Sequence, residues 1–257
     1  MSDDLVLRED RGAVRILTLH RPEKKNAFND AMYRAMGAAL SAAQTDTRVR
    51  AIVITGAGDA FCAGQDFSEM SAAAGAEHAF PVFLQALVDC DKPIITAVNG
   101  AGVGLGLTML LHTDVNYIAV GARLRAPFVT LGVVPEAGSS YLLPIVVGPQ
   151  RAAEILFTAR WIDAAETVAL GLTLAAVERD ALLPTALATA TAIAANPPEA
   201  VRHTKRLLRV ARREAIAAAR AHEDEAFQSR LGTPENLEAI RAFLEKRPPR
   251  FDTAESA

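Results

Sequence analysis

From Pro93 to Leu111 the chain carries no charged residue, an apolar run about long enough to cross a bilayer as one helix. Its composition argues against that. Glycines stand at 100, 102, 104 and 106, and each makes a continuous helix poorer. Asn99-Gly100 is a turn signal that divides the run into a buried strand, Ile94–Val98, and a later helix. A strand this apolar needs cover on both faces, which points to a sheet with helices packed over it.

The surrounding pattern agrees. Val14–His20 alternates as a strand, and Arg21-Pro22 to Asn26 reads as a turn. Asn29 or Asp30 can cap a helix through about Gln44, with Met32, Met36 and Leu40 on one face. Ala51–Thr55 and Val115–Val120 are further short strands, the first ended by Gly56-Ala-Gly58. Short β-branched runs alternating with helix-length segments predict an α/β protein built of ββα units. From about Pro197 the chain turns rich in Ala, Arg and Glu, without strand signals and punctuated at Pro197-Pro198 and Gly232-Thr-Pro234. Two regions follow: an active core over 1–195 and a helical segment over 196–257.

With 257 residues and a net charge of −3, the chain has no electrostatic footprint for nucleic acid. The basic stretch Arg202–Arg213 alternates with Leu207, Leu208 and Val210, as the wet face of an amphipathic helix does. Two cysteines, Cys62 and Cys90, suit a reducing compartment better than a disulfide framework. The N-terminus MSDDLVLRED is acidic, unlike a signal peptide, so the expected location is the cytoplasm with no membrane span. The five histidines never fall at metal-ligand spacing, and no metal is expected. The glycine series from 100 to 106 does not satisfy G-x-G-x-x-G, and neither a P-loop nor G-x-S-x-G occurs.

Three glycine-containing loops remain, each expected to follow a strand: Phe61-Cys-Ala-Gly-Gln-Asp66, Asn99–Gly106, and Gly132-Val-Val-Pro-Glu-Ala-Gly138. Glycine lets a ligand approach the main chain, and amides at a helix start carry positive partial charge. Two such amides can hold a developing oxyanion. In the third loop Glu136 is a lone acid among apolar residues, with no Lys or Arg in the ten residues that follow. Burial there would raise its pKa.

These segments, taken together, resemble the crotonase superfamily, the enoyl-CoA hydratase/isomerase family. The likeness rests on His20-Arg-Pro-Glu-Lys-Lys-Asn-Ala-Phe28, Ala60–Phe67, Lys92-Pro-Ile-Ile-Thr-Ala-Val-Asn-Gly100, Asp114, the Glu136 loop and Ala242-Phe-Leu-Glu-Lys-Arg247, in that order. The resemblance implies a spiral of ββα units with a C-terminal helical trimerisation segment, assembled as a trimer or a dimer of trimers. It also implies an acyl-CoA thioester as substrate, with coenzyme A part of that substrate and no separate cofactor. By position the oxyanion donors are the amides of Ala63 and Leu105, the latter replacing a frequent glycine. Lys25 and Ala27, with Ala63, Gly64, Gln65, Asp66 and Phe67, match positions lining the adenine and pantetheine. Phe243 and Lys246 match residues that reach a neighbouring subunit's CoA. Asp66-Phe-Ser-Glu69 also reads as a capping box, which gives Asp66 a structural role.

The resemblance also sorts the chemistry. Hydratases of the family use two glutamates, and their positions here are Thr108 and Phe128. Neither can ionise. Glu136, in Pro-Glu-Ala-Gly-Ser-Ser-Tyr, falls where Δ3,Δ2-enoyl-CoA isomerases of the peroxisomal type carry a single acid/base. Phe128, Leu131 and Leu142 are candidate walls of an acyl pocket. The expected reaction is isomerisation of 3-enoyl-CoA to 2-trans-enoyl-CoA. The alternatives are hydration of 2-enoyl-CoA, isomerisation of a ring-derived CoA thioester, and non-catalytic acyl-CoA binding.

Overall fold

The computed structural model describes residues 4–66 and 79–251. Along the chain these form β1 (Val6–Arg11), β2 (Val14–Leu19), α1 (Asp30–Thr45), β3 (Ala51–Gly56), β4 (Ala60–Cys62) and α2 (Phe80–Asp89). Next come β5 (Ile94–Val98), β6 (Ala101–Val103), α3 (Leu105–Thr108), β7 (Val115–Ala119) and β8 (Arg123–Arg125). Then follow α4 (Ser139–Val147), α5 (Pro149–Thr158), β9 (Trp161–Asp163), α6 (Ala164–Ala169) and β10 (Ala175–Val177). Four helices finish the described chain: α7 (Arg179–Ala194), α8 (Pro198–Val210), α9 (Arg213–Arg230) and α10 (Pro234–Leu244).

Two compact units are interleaved in the sequence. Residues 4–66, 79–124 and 162–211 form the first, and 125–161 with 212–251 the second. The composition shift near 196 falls inside the first unit, whose last helix is α8.

The first unit is organised by a six-stranded sheet in the order β1-β2-β3-β5-β7-β10. The β1–β2 hairpin is antiparallel, and every later neighbour is parallel. Strands β3 and β5 are buried almost throughout, as their unbroken apolar composition requires. Each fully buried aliphatic side chain there, such as Ile52, Ile54 or Ile94, contributes about 1.5–3 kcal/mol. A second sheet, ordered β4-β6-β8-β9, is made of three-residue strands.

Helix α1 begins where expected, with the Asn29 side chain accepting from the Met32 amide at 2.9 Å. At its other end the buried Lys92 donates to the carbonyls of Ala43 and Asp46 at 2.6 and 2.7 Å. That places a cation on the negative end of the helix. Helix α7 lays Ala186, Ala190 and Ala194 inward, small enough for close approach to β3 and β5. Helix α8 is tied down by charge. Lys205 is buried and reaches Asp114 at 2.7 Å and the Lys92 carbonyl at 2.6 Å, while Arg209 reaches Asp114 at 3.2 Å.

In the second unit, α4 and α5 follow one another through Gly148, and α9 packs against α4. The turn at Val129–Leu131 rests on α10, whose Asn236 side chain donates to the Leu131 carbonyl at 2.7 Å. Gly132 is pressed there so closely that a methyl group would lie 2.8 Å from the Asn236 backbone.

Candidate active site

The first unit gathers most of the residues expected to touch the CoA thioester. Residues 25–28 run beside residues 63–66 as one short parallel bridge, Phe28 to Gln65. Phe28 donates its amide to the Gly64 carbonyl at 2.7 Å, and its own carbonyl accepts from the Asp66 amide at 2.8 Å. The turn that delivers this segment is unusual, because Lys25 and Asn26 both adopt positive φ, 51° and 56°. Asn26 is fully buried and holds it together. Its oxygen accepts from the Arg21 amide, and its nitrogen donates to the carbonyls of Ala57 and Ala60. Lys25 is left exposed, and Ala27 is buried.

Asp66 is buried and accepts from Arg21 at 3.0 Å, while the same guanidinium donates to the Ala27 carbonyl at 2.7 Å. Arg21 thus clamps the two segments together. The remainder of the capping box, and Phe67 with it, lies outside the described residues.

The oxyanion donors need one correction. The Ala63 amide donates to the Lys25 carbonyl at 3.0 Å, so it is already engaged within the loop pairing. Backbone alternation explains which amide is available instead. In a parallel bridge, Gly64 O and Asp66 N face Phe28, so the N–H of Gln65 between them faces the other way. The other side is the β6–α3 connection. A methyl group on Gly64 would lie 2.8 Å from the Val103 carbonyl and 3.9 Å from the Gly104 backbone. Only glycine, at φ 87°, permits that approach. Leu105 opens α3 immediately after Gly104 and is buried. The Gly104 carbonyl accepts from the amides of Leu107 and Thr108, which leaves the Leu105 amide at the start of the helix. The Gln65 side chain is fixed by the Tyr33 hydroxyl at 2.8 Å, within a cluster of Phe28, Tyr33, Phe80 and Phe83. Cys62 is buried, its Sγ accepting from the Gly64 amide at 3.4 Å. Thr108 is fully buried on α3.

The second unit carries Glu136. Its loop follows the 3-10 turn Val129–Leu131 rather than a strand, unlike the other two glycine loops. Glu136 is partly exposed, while its Oε2 atom is buried. Its carbonyl accepts from the Ser139 amide at 3.1 Å and the Ser139 hydroxyl at 2.6 Å. Ala137 and Gly138 then take positive φ, 62° and 74°, before α4 begins. Phe128 and Leu142 are buried, and Leu131 is half-buried with its amide donated to the Phe128 carbonyl. Phe243 and Lys246, at and just beyond the end of α10, are exposed. Arg247 anchors that end through paired contacts to Glu238 at 2.6 and 2.9 Å.

Glu223 was not singled out by the sequence. It is a buried carboxylate on α9, accepting from the Gly138 amide at 2.5 Å and the Ser140 amide at 2.7 Å. Burial raises its pKa above the ordinary carboxylate value, and the Ser140 hydroxyl with the Ser140 and Gly138 amides pulls it partly back. His222-Glu-Asp-Glu225 reads in sequence as the wet side of a helix, so no local signal marks it. Arg21 and Asn26 lie inside the His20–Phe28 motif, but their clamping roles appear only once the partner loop is in place.

A family model described as enoyl-CoA hydratase/isomerase matches residues 9–254. The chain belongs to the enoyl-CoA hydratase/isomerase family. It is similar to an enoyl-CoA hydratase/isomerase from Pseudoalteromonas atlantica, with a TM-score of 0.92 and 38% identity over 96% of this chain and 99% of that one. It is 35% identical to the 2,3-dehydroadipyl-CoA hydratase of Escherichia coli, over 98% of this chain and 99% of the relative. The short-chain-enoyl-CoA hydratase of Clostridium acetobutylicum is 34% identical over 94% and 95%. The expected mixed α/β fold of this family is therefore present. Among the described residues, no helix is long and apolar enough to cross a membrane, and no group of side chains could hold a metal ion.

Proposed function

We propose that this member of the family moves the double bond of a 3-enoyl-CoA thioester to the 2-trans position, with Glu136 as its single acid/base. The thioester oxygen is held by the amides of Gln65 and Leu105. Glu136 removes a proton from C2, the electron pair moves through the alkene into a dienolate, and the amides bear its charge. Glu136 then returns the proton at C4, so no atom is gained or lost. Both carbons lie within about two bonds on one face, so one carboxylate serves both. General-base catalysis of this kind supplies about 10²–10⁴-fold, and each amide donor is worth about 2.7–4 kcal/mol in comparable sites. No group beyond the substrate's own coenzyme A is required by this step.

The observation that carries this reading is the mounting of Glu136, on a loop that holds its backbone in a fixed turn while one carboxylate oxygen is buried. Thr108 and Phe128, the positions where family hydratases carry glutamates, are buried and non-ionisable. Hydration is the second reading, favoured by the names of the E. coli and C. acetobutylicum relatives. The exposed Phe243 and Leu244, with Leu237, form an apolar surface at the C-terminal end that we assign to self-association, with Lys246 beside a neighbour's CoA. The test is a paired assay on one preparation, 3-hexenoyl-CoA isomerisation against crotonyl-CoA hydration. Isomerisation is expected to be faster, and a higher hydration rate would replace this proposal with the second reading.

A further inference from the structure

Glu223 is a buried acid with no part in the proton transfer described above, yet it is bonded to the loop that carries Glu136. Its two carboxylate oxygens each take one main-chain amide, Oε2 from Gly138 and Oε1 from Ser140. Those amides sit on either side of Ser139, whose own amide and hydroxyl hold the Glu136 carbonyl. The acid is therefore fixed from both directions: a turn closes over its carbonyl, and a carboxylate from another helix grips the Gly138 and Ser140 amides. The grip has a geometric companion. A methyl group on Gly138 would meet Ile216 at 3.4 Å and Arg220 at 3.5 Å, ordinary packing distances, so α9 lies directly against the loop.

The conformation held this way is one that the loop would not keep unaided. Ala137 is a non-glycine residue at φ 62°, a region disfavoured for a side chain with a Cβ. Residues in such conformations persist where their surroundings over-determine them, and they concentrate at functional sites. The four leading amides of a helix also need acceptors, and Gly138, the residue ahead of α4, contributes no capping side chain. Glu223 supplies from a distance what a local Asn, Asp or Thr supplies at α1, α6 and α10, whose caps Asn29, Asp163 and Thr233 are their own neighbours.

We propose that Glu223 is the positioning residue for Glu136, setting the carboxylate's direction by clamping the Gly138 and Ser140 amides. This inference rests on the assignment of Glu136 as the acid/base. The clamp acts on orientation, so its loss should lower turnover and leave the affinity for the CoA thioester largely unchanged. A displacement of about 1 Å at a reacting group can cost on the order of 10²-fold.

The experiment uses the full chain with Glu223→Ala and the isosteric Glu223→Gln, which keeps the volume and one acceptor oxygen. Two quantities are read: steady-state isomerisation of 3-hexenoyl-CoA, and amide hydrogen exchange over residues 136–142 without substrate. Faster exchange in that segment, with kcat down on the order of 10²-fold in Glu223→Ala, less in Glu223→Gln, and KM within about threefold, is the expected result. Unchanged exchange would show that there is no clamp and overturn the proposal. Faster exchange with wild-type kcat would show a clamp without consequence for catalysis, and would overturn it equally. A matching rise in KM would point to general loss of structure instead, again against it. Full activity in Glu136→Gln would bring down the underlying assignment, a result recognisable independently of the exchange data.

Discussion

Gly64 admits no methyl group, because one would lie 2.8 Å from the Val103 carbonyl, whereas Ala137 carries its methyl at φ 62° with the strain held in place. These residues stand for two ways of building a reactive loop. In the first unit, residues 63–66 are shaped by main-chain bonds to Lys25 and Phe28 and by a glycine that admits residues 103 and 104, and the proposed product, with Leu105, is a pair of amides. In the second unit, residues 135–140 are shaped by a carboxylate from α9, 85 residues from the amide it accepts. The first design presents backbone, so it depends on glycine at 64 and on the Arg21 and Asn26 side chains behind the pairing, but not on the side chain of the donor residue itself. The second presents a side chain, whose direction depends on every contact behind it.

The strongest attempt to break this contrast is Glu136→Gln. If the side chain is the acid/base, kcat for isomerisation should fall at least about 10²-fold while CoA-ester binding stays nearly intact, as measured by steady-state kinetics and inhibition by a saturated acyl-CoA. Comparable kcat would move the chemistry elsewhere. Next in size is Gly64→Ala, expected to push the Gln65 amide off its line and cost about 10–10²-fold in turnover, short of removing a donor outright. It should be contrasted with Gln65→Ala in the same assay. That change removes the Tyr33 contact, worth about 0.5–1.5 kcal/mol of stability by thermal unfolding, but leaves the amide, so turnover should hold within a few-fold. Equal damage from both would mean that the side chain of Gln65, and not its backbone, does the chemistry.

A pH experiment sharpens the contrast within the second unit. The Arg247 guanidinium and the Arg250 amide hold Glu238 down to about 2, so its contribution to stability is present above the ordinary value of 4.5 and is lost as pH falls from there toward 2. Glu223 has the opposite sign. Its pKa is raised by burial, so the ionised form weakens the fold and stability improves as pH falls through the raised value. Unfolding titrations of Glu238→Gln and Glu223→Gln should therefore flatten the wild-type pH dependence in opposite directions. The same direction in both would show that the Glu223 amides outweigh its burial. The smallest effect expected is Lys246→Ala, a few-fold rise in KM without change in kcat, since an exposed charge contact is worth roughly 0.2–1 kcal/mol.

Legibility in the sequence follows the same division. Strand β5 and helix α1 were placed from apolar runs and the Asn29 cap, because local pattern and burial agree there. The three-residue strands β4, β6, β8 and β9 are too short to show a period, so the second sheet was invisible. The motif around Phe61–Asp66 pointed to the Ala63 amide, which the fold engages with the Lys25 carbonyl. Which N–H faces outward depends on pairing with Phe28, and that register is set by a turn in which Lys25 and Asn26 take left-handed conformations. Glu136 stands out in its loop as a lone acid. The support behind it could not, because an acid on α9 looks like any solvated helix charge until the fold buries it.

The Leu105 amide, in the role proposed for it, belongs to the backbone at the start of α3, and that has a consequence for descent. A peptide N–H cannot be mutated away by changing a codon to anything but proline, so carbonyl recognition is inherited almost regardless of drift in the surrounding letters. Acids enjoy no such protection: one base change removes them. A gene of this kind can therefore exchange reactions while keeping its class of substrate, and the threonine at 108 and phenylalanine at 128 stand at the sites where such an exchange would be recorded.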